Sequence, residues 1–313
     1  MNKPRRNPHL QTSLGRRLSR QMARTVTEFG LLQDGDHVMV CLSGGKDSYT
    51  LYDLLFELRR RAPVNFELTA VHLDQVQPGY DGAPLRRWLE AGPLPFEIVR
   101  EDTYTKVVEL VPEGKSFCSA CSRMRRGILY RTAERLGCNK IALGHHRDDA
   151  LETLLMNLFY AGKLQAMPAT YRTDDGRFEV IRPMVECAEK DIIAHAEASA
   201  YPILPCNLCG SQSGLRRDAM TALLDELERD NPNVRSIMLH ALRKVHPSHL
   251  LDKDVAKVWL DRSDDATPDR PRSSDPVPDP LAGEATPSDD ARADASVAPR
   301  DLVQLRGPAR RAP

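Results

Sequence analysis

The chain has 313 residues, 41% of them hydrophobic, and equal numbers of basic and acidic residues, 44 of each, so net charge by itself indicates no charged partner. That length allows one large domain, or one domain with shorter appended segments. No apolar run approaches the roughly 20 residues that span a bilayer, and the amino terminus lacks the apolar core of a secretion signal. The sequence therefore predicts a cytoplasmic protein without membrane contact.

The amino-terminal 24 residues are basic, with seven basic side chains and no acidic one. The seven are Lys3, Arg5, Arg6, Arg16, Arg17, Arg20 and Arg24. A segment of this kind is typical of a solvated, flexible arm, and contact with nucleic acid is the alternative. We assign residues 1–30 to a basic N-terminal arm or helix.

The first predicted strand, residues 37–42, leads into a glycine turn and then a helix. Leucines at helical spacing make one face of that helix apolar: Leu51, Leu54, Leu55 and Leu58. In such a unit, Gly44 and Gly45 let the backbone approach an anion, which the helix N-terminus also attracts. The common nucleotide-binding loop has serine or threonine after its lysine, whereas Asp47 follows Lys46 here. The unit therefore predicts an anion site of another kind.

The hexapeptide from Ser43 to Ser48, S-G-G-K-D-S, resembles the S-G-G-x-D-S signature of the PP-loop ATP pyrophosphatases. Enzymes of that family cleave ATP between its α- and β-phosphates, adenylate a carbonyl or amide oxygen, and hold pyrophosphate in this loop. The resemblance implies that Lys46 and Asp47 are catalytic, with Asp47 also positioning Mg²⁺. The implied nucleotide-binding residues of the loop are Ser43, Gly44, Gly45, Lys46, Asp47 and Ser48. An ordinary glycine turn with a serine or aspartate cap is the alternative.

The rest of the folded region alternates strand and helix patterns. Further strands are predicted at residues 66–73, 96–99 and 140–144, and helices at 123–136 and 149–160. This alternation predicts an α/β fold with a doubly wound parallel sheet, which binds ligands at the carboxyl ends of its strands. We place an ATP-binding α/β domain at residues 31–200, and assign residues 201–260 to a segment of C-terminal helices.

Seven cysteines, an odd number in a chain predicted to be cytoplasmic, argue against a disulfide framework. Four of them form two C-x-x-C pairs, Cys118 with Cys121 and Cys206 with Cys209. Two such pairs suit a tetrahedral zinc site, an iron–sulfur cluster, or a relay in which one thiol carries a persulfide. Spacing alone does not separate these possibilities. The three remaining cysteines are predicted to be packing residues: Cys41, Cys138 and Cys187.

The order of motifs resembles that of the bacterial tRNA 2-thiocytidine synthetases over about residues 32–250. The PP-loop is followed by a C-x-x-C pair on a basic helix, by G-H-H-R-D-D at residues 144–149, and by P-C-N-L-C-G-S-Q at 205–212. The resemblance implies ATP-dependent replacement of O2 of cytidine 32, in the anticodon loop of tRNA, by sulfur. Adenylation of that oxygen and sulfur transfer at a [4Fe–4S] cluster would release AMP and pyrophosphate.

The implied cluster has three cysteine ligands, leaving one iron open for sulfide. They are Cys118, Cys121 and Cys209, with Cys206 as the alternative third ligand. The implied partners are tRNA and a cysteine desulfurase or another sulfur donor. The sequence does not give the oligomeric state, and a homodimer is one possibility. A tRNA substrate would contact the basic arm and the arginines beside the first cysteine pair, which are Arg123, Arg125 and Arg126.

The motif after the predicted fourth strand has several interpretations. By resemblance, Gly144 and His145 lie beside the nucleotide, near its ribose or α-phosphate, and Asp148 is a further catalytic candidate. A metal site formed by the two histidines with Asp148 and Asp149 is one alternative. A helix cap by Asp148 is the other.

Two other classes of function share parts of this sequence. A PP-loop ligase acting on another base, such as a uridine thiolase or a lysidine-type synthetase, would keep the ATP site, although the latter has no need of the paired cysteines. A zinc-stabilised RNA-binding module would keep the cysteines and the basic residues, but it would not need the PP-loop.

The carboxyl-terminal residues 261–313 differ in composition from the rest of the chain. They hold nine of the 23 prolines, eight arginines and eleven acidic residues, which leaves a charge of +3 on the preceding 260 residues. Such a segment buries too little apolar surface to offset the entropy lost on ordering. We predict a disordered tail.

Overall fold

The computed structural model describes residues 7–111, 118–204 and 214–260. Within them, strands β1 to β6 are His37–Leu42, Glu67–Asp74, Phe96–Arg100, Lys140–Ala142, Thr170–Arg172 and Glu179–Ile181. Helices α1 to α10 are Ser13–Glu28, Lys46–Arg59, Ala83–Glu90, Thr103–Leu110, Cys118–Arg135, Arg147–Met156, Glu189–Ser199, Gly214–Asp230, Val234–Ala241 and Lys253–Leu260. Short 3₁₀ turns lie at Pro8–Gln11 and Pro247–His249, and a π-helical turn at Asn157–Ala161. None of the described helices is both long and apolar enough to cross a membrane.

The six strands form one sheet in the order β3-β2-β1-β4-β6-β5. All neighbouring strands are parallel except β5, which pairs antiparallel with β6 at the edge. Strand β1 is central, and its residues Val38, Met39 and Val40 are fully buried, as expected for a strand covered on both faces. The predicted doubly wound sheet is confirmed, with one antiparallel edge strand that the sequence did not indicate.

Helices cover both faces of the sheet. The larger core joins α1, α2 and α7 to the sheet through side chains such as Met22, Leu55 and Ile192. On the other face, Ala133 of α5 packs in a smaller core with Met39. A third cluster joins α6 to α8. The two helix layers leave the carboxyl edge of the sheet, where Leu42, Asp74 and Ala142 end their strands, free for a ligand site.

The basic amino-terminal segment is a packed helix from residue 13 to 28, so the flexible-arm interpretation is wrong there. Thr12 caps α1 by accepting a hydrogen bond from the Gly15 N–H at 3.1 Å. Leu18 is fully buried, and Arg17 Nη2 lies 2.5 Å from Asp191 Oδ1 on α7. The apolar residues of α1 were overlooked because arginines separate them in the sequence.

Most predicted boundaries are shifted by a few residues. Strand β1 lies at the predicted residues, β2 is displaced by one, and β4 ends at Ala142 rather than at residue 144. Helix α5 begins five residues earlier than predicted, at Cys118, so the first cysteine pair lies on the helix itself. Helix α6 begins at Arg147 and ends in the π-helical turn. The predicted tail, residues 261–313, lies outside the described residues.

Candidate active site

The glycine loop between β1 and α2 has the geometry of an anion site. Gly44 has φ +86°, a left-handed conformation that favours glycine. Gly45 is the N-cap of α2 and donates its N–H to Ser43 Oγ at 3.3 Å. The Ser48 hydroxyl donates to the Gly45 carbonyl at 2.8 Å. The loop is therefore fixed by its own hydrogen bonds. The Ser48 N–H donates to the Gly45 carbonyl at 3.1 Å, so the N–H groups of Lys46 and Asp47 are the ones at the start of α2 that can bind a phosphate.

The loop after β4 packs directly against the PP-loop through Gly144. A Cβ at this position would lie 3.1 Å from the carbonyl carbon and oxygen of Asp47 and 3.2 Å from the Ser48 nitrogen. These distances are shorter than ordinary contacts to backbone, so a side chain here would push the two loops apart. The structure thus brings Gly144 together with the predicted loop residues.

The Lys46 ammonium group is held by two carboxylates in this structure. Its Nζ lies 3.1 Å from Asp47 Oδ1 and 2.8 Å from Glu189 Oε1. Burial lowers the pKa of Lys46, but the hydrogen bond to Glu189 and the charge of Asp47 outweigh that effect, so its pKa is raised. Glu189 opens α7, and sequence reasoning missed it. The only signal was an acidic residue in a first helical turn, which is common.

Asp47 has an oxygen atom with unused hydrogen-bonding capacity. Its Oδ1 is buried and, although Lys46 is near, accepts no well-formed hydrogen bond. Burial raises the pKa of Asp47, against the opposing charges of Lys46 and of His146, whose Nε2 lies 3.7 Å away. A carboxylate oxygen of this kind suits Mg²⁺, which usually takes one or two protein carboxylates and completes its shell with water and phosphate oxygens.

His145 is held in one protonation state by an arginine. Arg182 Nε donates to His145 Nδ1 at 3.1 Å and Arg182 Nη1 to the Pro168 carbonyl at 2.9 Å. Because arginine stays protonated, Nδ1 must accept, and the proton of the neutral ring lies on Nε2. Burial lowers the pKa of His145 to about 4. His145 is therefore a neutral hydrogen-bond donor at neutral pH.

The Asp148 carboxylate forms buried ion pairs. Its Oδ1 lies 2.8 Å from Arg235 Nη1 and 3.2 Å from Arg147 Nη2, and its Oδ2 accepts from the Glu189 N–H at 2.8 Å. Burial alone would raise the pKa of Asp148, but these partners lower it overall. Through them Asp148 links the start of α6 to the start of α7. Its catalytic role stays a prediction.

Both alternatives for the G-H-H-R-D-D motif are wrong. The N-cap of α6 is His146, not Asp148, and Asp149 completes a capping box by accepting from the His146 N–H at 3.0 Å. Within residues 7–111, 118–204 and 214–260, no three His, Cys, Asp or Glu side chains form a group that could hold a metal ion. His145 and Asp148 instead face separate arginines, Arg182 and Arg235.

The first cysteine pair reaches the same edge of the sheet at the end of β2. Cys121 Sγ on α5 lies 3.4 Å from Gln75 Oε1, which also accepts from the Thr103 hydroxyl at 3.1 Å. Gln75 directly follows β2 and precedes Val76, which has φ +58°, a conformation that β-branched residues rarely adopt. Sequence reasoning missed Gln75 because glutamine is no motif residue. Its contacts fix the position of Cys121 relative to the sheet.

The structure describes only some of the other cysteines for which the sequence made a prediction. Cys118 opens α5 one helical turn before Cys121, a spacing that suits two ligands of one iron–sulfur cluster. The predictions for Cys206 and Cys209 lie outside the described residues, so the third ligand stays a prediction. Burial raises the pKa of Cys138 to about 11 and of Cys187 to about 12, as expected of the packing residues that the sequence predicted.

The segment that carries the second cysteine pair is attached to the site at both ends. Leu204, before it, donates its N–H to the Gly44 carbonyl at 2.9 Å, and its Cδ1 lies 2.7 Å from where a Cβ on Gly44 would be. After it, Arg217 on α8 places Nη1 3.3 Å from Asp149 Oδ1. The residues on either side of this segment therefore contact the PP-loop and the start of α6.

A histidine connects the two parts of the site. His72, on β2, donates from Nδ1 to the carbonyl of Leu42 at 2.8 Å, immediately before the PP-loop. Its Nε2 accepts from the Tyr80 hydroxyl. Burial lowers the pKa of His72, so its ring is neutral and its tautomer is set by the Leu42 carbonyl.

Comparison with known proteins agrees with this geometry. The PP-loop domain family matches residues 14–202. The chain is 53% identical over 239 residues to the tRNA-cytidine(32) 2-sulfurtransferase of Tolumonas auensis, covering 76% of this chain and 79% of that protein. It is 45% identical over 305 residues to the protein of the same name from Bordetella petrii, covering 95% and 94%. The solved U34-tRNA thiolase NcsA from Methanococcus maripaludis, with its [4Fe-4S] cluster, has a similar fold, with TM-score 0.58 and 24% identity over 75% of this chain and 80% of that chain.

Proposed function

The chain belongs to the tRNA-cytidine(32) 2-sulfurtransferase family of PP-loop proteins, and we propose that it is the ATP-dependent enzyme that converts cytidine 32 of tRNA to 2-thiocytidine. One observation carries the proposal. An anion-binding PP-loop and the Cys121 thiol lie at the same edge of one sheet, at the ends of neighbouring strands β1 and β2. Activation by phosphate chemistry and substitution by sulfur can therefore act on one base.

The PP-loop side activates the base. Cytosine O2 attacks the α-phosphorus of ATP, the bond to the β-phosphate breaks, and pyrophosphate leaves. The N–H groups at the start of α2 stabilise its charge, as preorganised donors do for developing negative charge. Asp47 contributes to Mg²⁺ its Oδ1, which accepts no well-formed hydrogen bond, and Lys46 exchanges its carboxylate partners for phosphate oxygens. His145 donates Nε2–H on the nucleotide side.

The cysteine side supplies sulfur. A [4Fe–4S] cluster held by Cys118, Cys121 and either Cys209 or Cys206 supplies, when bound, an open iron that holds sulfide as a nucleophile. Sulfur forms a bond to C2 of the adenylated base, and AMP leaves with the original oxygen. Gln75 keeps Cys121 beside β2. A sulfide donor restores the sulfide, or a cysteine desulfurase does so when a thiol reductant supplies the two electrons that convert its persulfide sulfur to sulfide.

The substrate docks through its phosphates beside the cysteines. The arginines near the start of α5, Arg123, Arg125 and Arg126, form no ion pair with any described residue. Farther along the same helix, Arg131 and Arg135 are paired with Glu101 and Glu97. Unpaired arginines suit the tRNA backbone. We further propose that the enzyme is cytoplasmic and acts as a homodimer.

Single-turnover thiolation tests this function. Anaerobically purified enzyme is mixed with unmodified tRNA, sulfide and Mg-ATP, and the digested nucleosides are analysed. We expect 2-thiocytidine at position 32 and one AMP for each sulfur incorporated. A thiolated uridine, or thiolation without AMP, would contradict the proposal.

Cysteine variants test the cluster in the same assay. Cys121→Ala is expected to lose iron and thiolation but to keep ATP binding, whereas the buried Cys138→Ala should keep iron and activity. Comparison of Cys206→Ala with Cys209→Ala identifies the third ligand, and we expect Cys209→Ala to lose more iron. Full activity in an iron-free Cys121→Ala protein would contradict a catalytic cluster.

A further inference from the structure

The turn after α6 exposes apolar side chains that the proposed chemistry does not use. Residues 158–165 are all exposed. Their large apolar members form what we call the apolar turn: Leu158 at 46% exposure, Phe159 at 54%, Tyr160 at 52% and Leu164 at 63%. Single exposed apolar residues are normal on a protein surface, but four within seven positions point to a binding surface.

The apolar turn is held in place by backbone contacts. Asn157–Ala161 forms a π-helical turn that ends at Gly162, which has φ +61°. The Lys163 N–H donates to the Asn157 carbonyl at 3.0 Å, and Asn157 Nδ2 donates to the Gln165 carbonyl at 2.7 Å. Isolated π-helical turns are frequent at functional sites. These bonds fix the backbone that carries the exposed rings, which lowers the entropy lost on binding.

The surroundings of the apolar turn are basic. The Arg216 guanidinium lies 4.9 Å from the centroid of the Tyr160 ring, and Lys163 lies within the turn. Between Glu152 and Asp174 the sequence contains no acidic residue. Aromatic rings interleaved with cationic groups are what proteins use to bind single-stranded nucleic acid.

A short series of contacts links the apolar turn to the active site. Arg216, over Tyr160, is followed by Arg217, which contacts Asp149 at 3.3 Å. Asp149 accepts from the His146 N–H at 3.0 Å, and His146 Nε2 lies 3.7 Å from Asp47 in the PP-loop. Because adjacent residues are only 3.8 Å apart between Cα atoms, the first turn of α8 contacts both the apolar turn and the site.

We propose that the apolar turn binds the unstacked bases of an RNA loop, with Phe159 and Tyr160 stacking on bases and Lys163 and Arg216 contacting the adjoining phosphates. This inference rests on the proposed function and specifies where the substrate loop docks. A base in an RNA loop must leave its stack to reach an enzyme site, and the bases beside it then need another surface to cover their faces. Aromatic side chains provide that surface without requiring a particular base.

Direct binding tests the proposal separately from catalysis. The probe is an unmodified anticodon stem-loop RNA with 2-aminopurine next to cytidine 32, titrated with the full-length, cluster-containing enzyme. Phe159→Ala and Tyr160→Ala are each expected to weaken binding roughly 10- to 100-fold, the usual effect of losing one stacked base. They should also remove the fluorescence quenching that stacking produces. Tyr160→Phe, which keeps the ring, should bind as the unmutated enzyme does.

The chain offers a matched control in Phe29. That ring is 42% exposed and lies 5.5 Å from the Arg243 guanidinium, but it belongs to another surface, at the end of α1. Phe29→Ala should leave RNA binding, iron content and ATP binding unchanged. Equal losses of RNA affinity in Phe29→Ala and Tyr160→Ala would overturn the assignment to the apolar turn.

The remaining outcomes separate this inference from the proposed function. Unchanged RNA affinity in Phe159→Ala and Tyr160→Ala would overturn the proposed RNA surface. A dimer that dissociates in Tyr160→Ala while RNA affinity stays the same would also overturn it, because a second copy of the chain would then occupy the apolar turn. Quenching that depends on Tyr160, in an enzyme that makes no 2-thiocytidine, would support the RNA surface and overturn the function instead.

Discussion

The two halves of the active site differ in their charge. The half at the ends of β1 and β4 gathers four charged side chains around His146: Lys46, Asp47, Asp149 and Glu189. Where β2 ends, Cys121 contacts the neutral Gln75, which accepts from Thr103, while the charged side chain there, Asp74, lies 3.6 Å from Arg100. Phosphate transfer requires fixed charges and a hard cation, whereas the iron of a cluster is bound by soft thiolate ligands. The difference indicates that activation and sulfur delivery can be disrupted one at a time.

The largest effect is expected from Asp47→Ala, which removes the only PP-loop carboxylate. Single-turnover thiolation should fall about 10²- to 10³-fold, as it does when one preorganised charged contact is lost. Iron content should not change, because the proposed ligands lie elsewhere in the chain. Asp191→Ala, which breaks an ion pair with Arg17 instead, is the control and should keep its activity. An Asp47→Ala protein that thiolates at the unmutated rate would show that this half does not activate the base.

A smaller effect is expected on the other half from Gln75→Leu. When its thiolate binds iron, Cys121 can only accept, so Gln75 would contact it through the amide Nε2–H. Gln75→Leu removes that contact, and loss of such an outer contact typically weakens metal binding about 10- to 100-fold. Transfer of iron from the enzyme to a chelator measures this change, and ATP binding should stay the same. Gln77→Leu is the control, because it changes the same loop and the Gln77 side chain forms no hydrogen bond with the described residues. Its iron release should match that of the unmutated enzyme. Equal iron release in the two variants would show that Gln75 does not support cluster binding.

The smallest effect concerns stability, and both halves should show it. Each half contains a buried histidine whose pKa is lowered by burial, to about 4 for His145 and in the same direction for His72. Between pH 6.5 and 4 the unfolded chain therefore binds more protons than the folded chain, so the free energy of unfolding falls as the pH falls. We expect His145 to contribute about 1–3 kcal/mol of this loss.

Urea unfolding at several pH values measures this dependence. His145→Asn and His72→Asn should each make the free energy of unfolding less dependent on pH between 6.5 and 4. His240→Asn, which changes an exposed ring on α9, is the control. A dependence that is equally steep in all three variants would assign the titration to other groups.

Sequence reasoning succeeded where structure depends on consecutive residues. The PP-loop could be located because its geometry follows from six adjacent residues, and β1 because a strand buried on both faces is continuously apolar. Strands β5 and β6 have three residues each, too few for a periodic pattern. Helix α1 was not delimited because its buried leucine and methionine are separated by arginines.

The missed site residues depend on contacts between distant parts of the chain. Glu189 reaches Lys46 from the first turn of α7, and Gln75 reaches Cys121 across 46 residues. Neither residue type suggests the role, because glutamate at a helix start and glutamine in a loop are ordinary. The error about Asp148 had a similar origin. Its carboxylate accepts a hydrogen bond from Arg235, 87 positions later in the chain, and does not cap the helix.

The packing of α1 has a consequence for synthesis of the chain. Helix α1 and the turn before it have partners much later in the chain, since Arg17 bonds to Asp191 across 174 positions and Asn7 to Tyr201 across 194. At a translation rate of about 5–20 residues per second, α1 leaves the ribosome roughly 10–35 s before its binding surface on α7 exists. Its apolar face, which includes Leu18 and Met22, is exposed to solvent and to chaperones during that time. Packing of α1 is thus completed only after translation has passed α7.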